Sequence, residues 1–451
     1  MESINKTHEI RDTLAISLPL VSSQLVYASS SFVSTAMVAV LGKEALAATV
    51  LVNMIWMCLS VFFFGILNAT SALVAREYGQ RNYEAISRIM GQSLILSLII
   101  AVCVCAALSS IPFFIHLSAQ PPAVLALAKA YNASLIWLVP ALVLLITLEQ
   151  FLAGINRSKL VLRISMLVVP IEIPLIYILM FGKCGLPAFG VEGIGIGLAI
   201  SYTITALVLS LYLLLAKHYR AYQISQHAFH MDWPILKSLL NIGFPFGFIQ
   251  IIEISTFSLM TFWLGHFGTV VLAAHQITMQ YLSFFVTLVF SMSQAVMIRV
   301  SHVLSSGQRN TLYSASYVGL GLNTLVIACL ALLYLKMPRL FLAVDINAAN
   351  PHNLLLIDDA STLLALSGLL LFIDNFRIVG MGALRGLKEN RFPLIATFFA
   401  FWVVGAPAAY FLGFYTTLGG AGVWLGLIVG VAAGAILTQW KLLRLIPSFG
   451  G

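Results

Sequence analysis

Four charged residues stand where a chain of this composition should have none. Glu253, Asp374, Arg377 and Glu172 each fall near the middle of a long apolar run. An ionisable group at the centre of a bilayer costs about 3 kcal/mol or more and marks an ion or substrate path. Glu253 and Asp374 lie in the same half of the chain at similar depth. Two carboxylates buried together do not both ionise readily, so such a pair holds a proton or a small cation between them. The chemistry on offer is reversible binding of H+ or Na+, with the charge neutralised on binding and restored on release. Two competing readings stay open. Asp374 could pair with Arg377 at i,i+3 and only fix a helix, with Arg377 also able to set the acid's affinity, and Glu253 could be a protonated, hydrogen-bonded glutamate.

Glu172 is bracketed by Pro170 and Pro174. Each proline removes a backbone donor and clashes one turn back, so carbonyls near residues 166–170 lose their helical partners. Freed carbonyls beside a carboxylate suit a small cation; the alternative is a kinked helix whose glutamate faces a wet cleft as a substrate counter-charge. Glu149 sits about one turn from the end of its run and is expected to reach interfacial water. Met54, Met57, Phe62, Phe63 and Phe64, with Phe290 and Met292 in a later run, could line an adaptable cleft, although such stripes more often serve as core or lipid-facing surface. His275 reads as an interfacial hydrogen-bonding histidine. His218, His227 and His230 lack metal spacing and fall in a polar segment. There is no P-loop, HExxH, GxSxG or cysteine-rich metal motif, and Gly193-x-Gly195-x-Gly197 follows no strand, so it reads as close helix packing.

The elements that must position these groups follow from composition. Of 451 residues, 60% are hydrophobic and only 9% charged, against about 25% in soluble domains. Mean hydropathy is +0.99. An ordinary water-soluble enzyme, a disordered chain and a disulfide scaffold are excluded. The five cysteines lack metal spacing and read as small core hydrophobes. About 20 apolar residues span the hydrocarbon, and twelve runs qualify: 13–41, 45–75, 87–117, 123–154, 160–182, 190–216, 238–265, 271–300, 312–336, 356–385, 392–415 and 419–440. The first is too long for a signal peptide and has no small-residue cleavage site. An even number of spans puts both termini on one side. Of 24 Lys and Arg, eighteen fall on that side, five on the other and Arg377 between. The positive-inside rule then makes both termini cytoplasmic. The net charge of +8 thus reports topology and not nucleic-acid binding.

The chain also repeats. Pro19 and Gln24 align with Pro245 and Gln250, and Gly42-x-x-x-Leu46-Ala47-Ala48 with Gly268-x-x-x-Leu272-Ala273-Ala274. Gly79-Gln80-Arg81-Asn82 recurs as Gly307-Gln308-Arg309-Asn310. Pro174-x-x-Tyr177 recurs as Pro407-x-x-Tyr410, and Gly190-x-x-Gly193-x-x-x-Gly197 as Gly419-x-x-Gly422-x-x-x-Gly426. Six spans per half give both halves the same orientation, as in parallel-repeat transporters. The expected fold is all-α and integral to the membrane: twelve transmembrane helices in two six-helix lobes related by a parallel internal repeat. The expected division is a lobe over 1–222, a cytoplasmic linker over 223–235 and a lobe over 236–451.

Taken in order, these motifs resemble the MATE (multidrug and toxic compound extrusion) transporters, and among them the NorM-like bacterial branch. The resemblance covers nearly the whole chain. It is carried by Leu18-Pro19 with Gln24, Phe32-Val33-x-Thr35-x-Met37, Pro174 with Tyr177, Gly185-x-Pro187-x-x-Gly190-x-x-Gly193, Gly243-x-Pro245 before Glu253, Leu272-Ala273-Ala274-His275-Gln276, and Leu384-Arg385-Gly386 after Asp374. It implies a secondary active exporter of lipophilic organic cations that antiports against Na+ or H+ by alternating access, with Glu253 and Asp374 as the carboxyl-lobe cation site. One departure matters. The family's first-span aspartate is Ser34 here, and the fifth-span polar pair is Glu172 and Ile176. Glu172 is therefore expected to replace the missing aspartate, with Arg377, Ser34, Gln24, Gln250, Tyr177, Pro170 and Pro174 as supporting residues. Expected besides are no enzyme activity, no cofactor, no metal beyond Na+, no nucleic-acid partner, small lipophilic or cationic substrates, a monomer, and residence in the inner cell membrane. The alternatives are a flippase for a lipid-linked precursor, disfavoured because Arg377 is the single intramembrane base, and an integral-membrane enzyme.

Overall fold

In lipid every backbone N–H and C=O must be satisfied within its own segment, so long apolar runs can cross only as helices or closed barrels. The computed structural model describes residues 2–116, 121–224, 226, 230–307, 311–343 and 353–448; among them there is no strand. Twelve helices are long and apolar enough to cross a membrane. They are α1 (Glu2–Val40), α2 (Lys43–Gly79), α3 (Tyr83–His116), α4 (Pro122–Gly154), α5 (Ser158–Phe181), α6 (Glu192–Leu215), α7 (Trp233–Gly265), α8 (Thr269–Ser305), α9 (Leu312–Lys336), α10 (Leu354–Gly386), α11 (Arg391–Phe414) and α12 (Gly419–Ser448). His227 and the repeat residues Gln308, Arg309 and Asn310 lie outside the described residues.

The repeat is visible in backbone detail. Gly42 and Gly268 open α2 and α8 with the same φ of 110°, a region that side-chain-bearing residues avoid. Each carbonyl accepts from the N–H four residues on, Leu46 and Leu272, at 3.1 Å. Packing repeats as well. α4 is the central helix of its set, against α2, α3 and α6; six helices later α10 packs against α8, α9 and α12. A Cβ at Gly193 or Gly197 would meet Met180 or Ile176 on α5, and one at Gly422 or Gly426 would meet Leu412 or Ala409 on α11. Small residues thus let α6 and α12 approach their neighbours closely, as lipid-embedded helices require.

The repeat breaks at one proline. Pro174 lies inside α5, which stays α-helical throughout. Its counterpart Pro407 follows a wider π-helical stretch, Phe399–Gly405, in the middle of α11. A proline ring presses on the carbonyl one turn back, and a π turn is one way of making room for it.

By contacts the chain divides into two compact units, Leu18–Gly247 and the remainder, which joins the segment ending at Ser17 to Phe248–Gly451. The cuts fall inside α1 and α7, beside the repeat prolines Pro19 and Pro245, whereas the sequence reading placed its division in the polar linker at 223–235. Arg299 of α8 holds the start of α1 in the carboxyl-terminal unit, bonding Glu9 at 2.6 and 2.8 Å and Asp12 at 2.9 Å.

Two sequence readings need correction. Cys58, Cys103 and Cys329 are free and exposed, not core residues; in an all-round apolar helix, hydrophobicity does not say which face is interior. Arg385, counted among loop charges, is buried in the last turn of α10 and donates to Ser293 Oγ at 3.2 Å.

Candidate functional site

Each unit has its own buried acid cluster. In the carboxyl-terminal unit Asp374 and Arg377 are one turn apart on α10, and Glu253 comes from α7. Arg377 is fully buried. Its Nε donates to Asp374 Oδ1 at 2.5 Å, its Nη2 to Asp374 Oδ2 at 3.1 Å and its Nη1 to Glu253 Oε1 at 2.8 Å. The guanidinium also lies 4.9 Å from the centre of the Phe401 ring, a cation–π geometry. The i,i+3 pair and the Glu253–Asp374 grouping, alternatives in the sequence, are both present in one network. Two carboxylates against one guanidinium leave a single negative charge when all three are ionised. Such a charge in a low-dielectric interior is costly until a monovalent cation neutralises it. Gln250, one turn before Glu253, has a buried Oε1 with no hydrogen-bond partner.

The amino-terminal unit has no arginine in its cluster. Glu172 on α5 is buried, 3% exposed. Its Oε1 accepts from Ser30 Oγ of α1 at 2.6 Å, and its Oε2 is buried without a partner. Glu172 lines a cavity of about 440 Å³ together with Tyr27 and Ser34 of α1, Asn53 and Met57 of α2, Tyr131 of α4 and Tyr202 of α6. Ser34 and Glu172, the two departures from the family pattern, therefore face one cavity. Tyr131 donates to Asn53 Oδ1 on its wall at 3.1 Å. Behind Tyr27 stands a second acid: the Tyr27 hydroxyl donates to Glu149 Oε1 at 2.8 Å. The sequence reading sent Glu149 to interfacial water; the structure ties it to α1.

The remaining candidates scatter. Met57 lines the cavity, and Met54 is exposed on the same helix. Phe63 and Met292 are buried in the cores of their units and Phe290 is half-buried. Gln24 is exposed. Tyr177 is exposed and packs on the Phe181 ring at 5.1 Å, at a recess distinct from that of Glu172. Pro170 and Pro174 flank Glu172 on the exposed side of α5. His275 is fully buried within the protein, 2.9 Å from Thr261 Oγ1 and edge-on to Trp424. No group of three or more His, Cys, Asp and Glu with metal-ligand geometry occurs among the described residues.

Sequence reasoning missed Ser30, Tyr27, Tyr202 and the role of Glu149. A signal existed for the first two. Tyr27, Ser30, Ser31 and Ser34 recur at i, i+3, i+4 and i+7, a polar stripe down one face of an apolar helix.

A family model described as MatE matches residues 19–178 and 245–411, two segments that begin at the repeat prolines. A relative from Synechocystis sp., named as a probable multidrug resistance protein NorM, is 28% identical over 97% of this chain and 95% of its own. Another with that name, from Pseudomonas aeruginosa, is 30% identical over 97% of this chain and 91% of its own. A solved structure described as the outward-facing conformation of a multidrug resistance MATE family transporter superposes with a TM-score of 0.87 at 21% identity, covering 98% and 97% of the two chains. Twelve membrane-length helices in two repeated sets, each enclosing carboxylates, define a multi-pass membrane transporter. The chain belongs to the MatE family.

Proposed function

We propose that this protein exports lipophilic organic cations by antiport against Na+ or H+, with the buried acids of each unit binding the coupling ion. Its activity is multidrug efflux, the function for which the NorM relatives are named. The observation that carries the coupling step is the Glu253–Arg377–Asp374 triad, whose uncompensated negative charge is enclosed in apolar helices. An alternating-access carrier must reorient more easily with its ion bound than with a bare charge inside, and this triad imposes that difference. In the amino-terminal unit Glu172 takes the place of the family's first-span aspartate, with Ser34 on the same wall leaving room for the longer acid. The protein works as a monomer in the inner cell membrane with both termini cytoplasmic, and as a carrier, not an enzyme.

The test is ethidium extrusion by the purified chain in liposomes under an imposed pH or Na+ gradient. Wild type should move dye under at least one gradient, and Glu253→Gln should lose at least about tenfold in rate, or about 1.4 kcal/mol on the barrier. Full-speed extrusion by Glu253→Gln under both gradients would remove the triad from the coupling step.

A further inference from the structure

We propose that Glu149 is the second proton-carrying group of the amino-terminal unit: a proton taken up on Glu172 from the cavity passes by way of Tyr27 to Glu149. This rests on the antiport reading above and assigns the ion in this unit. Three observations point the same way. Glu172 lines the cavity and presents a buried carboxylate oxygen, Oε2, that nothing in the protein bonds. Tyr27 lines the same cavity while its hydroxyl donates to Glu149 Oε1 at 2.8 Å on the far side. The charges of both Glu149 and Glu172 act on the Tyr27 and Tyr202 phenols, so the four groups form one electrostatic cluster.

The geometry selects a proton over the other cations such a protein handles. An organic cation in the cavity meets Tyr27 before it could touch Glu149, which is not on the cavity wall. A metal cation is held by several oxygen ligands at once, whereas the group placed against Glu149 is a phenol donating its hydrogen to the carboxylate. Direction follows from the helix. Glu149 lies five residues before the end of α4 at Gly154, about 7.5 Å by helix rise, and the next residues carry Arg157 and Lys159, on the basic side of the chain. The acid near the basic side is thus bonded to a tyrosine that shares its cavity with the other acid.

The step balances with cavity water as the carrier between Glu172 and Tyr27, which line the same cavity. Tyr27 gives its O–H proton to Glu149 Oε1 and its oxygen is re-protonated from the cavity side, where Glu172 releases one. The net change turns Glu172 from acid to carboxylate and Glu149 from carboxylate to acid. Two carboxylates that share one set of phenols disfavour joint ionisation, so a single proton alternates between them.

The experiment uses the full chain in liposomes with ethidium and an internal pH-sensitive dye, comparing wild type, Glu149→Gln and Tyr27→Phe. Tyr27→Phe keeps the acid and removes the phenolic link, so it tests the path even if Glu149→Gln folds poorly. Both variants should bind ethidium in detergent within about threefold of wild type, while pH-driven extrusion falls at least about tenfold in each, and proton release per ethidium drops. A purely structural role for Glu149 predicts an unchanged proton count per dye. Extrusion at wild-type rate and proton count in either variant overturns the inference and leaves the antiport reading standing, as does wild-type extrusion that answers to Na+ alone. Wild-type extrusion under neither gradient removes both.

Discussion

The two acid clusters solve one problem in opposite ways. In the carboxyl-terminal unit the carboxylates are clamped by a resident cation: Arg377 bonds both acids of Asp374 and Glu253 and leaves one negative charge. In the amino-terminal unit hydroxyls from Ser30 and Tyr27 each hold one carboxylate, one oxygen of Glu172 stays bare, and no guanidinium joins them. The first arrangement is charge-poor. The second keeps two acids with no resident cation beside them, and hydroxyl donors ease desolvation without cancelling charge. The comparison teaches that equivalent repeats need not carry equivalent acid clusters: the fold doubles, and the polar side chains are placed independently in each half.

The comparison can be broken at its strongest point first. Arg377→Leu would strand two buried carboxylates, and breaking such a pair costs about 3–5 kcal/mol. Thermal unfolding in detergent should show a large loss, partly restored when Glu253→Gln and Asp374→Asn are added. No recovery in the triple variant would mean that the arginine serves packing, not charge. Next, Glu172→Gln should slow pH-driven extrusion at least about tenfold, whereas Ser34→Ala should leave it nearly intact; equal rates in Glu172→Gln and wild type would return the coupling role to the carboxyl-terminal unit alone. A smaller effect belongs to Ser30→Ala. It removes one hydrogen bond to Glu172, worth about 1 kcal/mol, and should lower extrusion less than Glu172→Gln does. The smallest concerns the scaffold. Gly42→Ala and Gly268→Ala force a side chain into the same left-handed turn and should cost similar amounts, about 1 kcal/mol each; unequal losses would show that the two turns are not equivalent.

Much of this was legible beforehand, for a physical reason. Span length and apolar composition report the bilayer, and so they recovered all twelve helices. The Asp374–Arg377 pair is one turn apart on one helix, and helical periodicity shows such neighbours directly. Pro170 and Pro174 flagged Glu172 because prolines are rare inside helices. What stayed hidden were contacts across helices. Tyr27 and Glu149 are 122 residues apart, and no periodicity says which side chain an adjacent helix brings over. The contact boundaries inside α1 and α7 lie beside the repeat prolines Pro19 and Pro245, but hydropathy runs on unbroken through both helices and does not say where packing partners change. The burial of Arg385 escaped for the converse reason: a charge near a span end looks solvated from sequence, but Ser293 and the Met381 carbonyl reach it from inside the bundle.

The central claim is that these enclosed acids exist to be neutralised by the counter-transported ion. Its most direct test is one variant carrying Glu172→Gln, Glu253→Gln and Asp374→Asn, reconstituted in liposomes and assayed for ethidium movement with and without imposed gradients. The account predicts that dye still binds but no longer moves uphill under either a pH or an Na+ gradient. Uphill extrusion at the wild-type rate would contradict it.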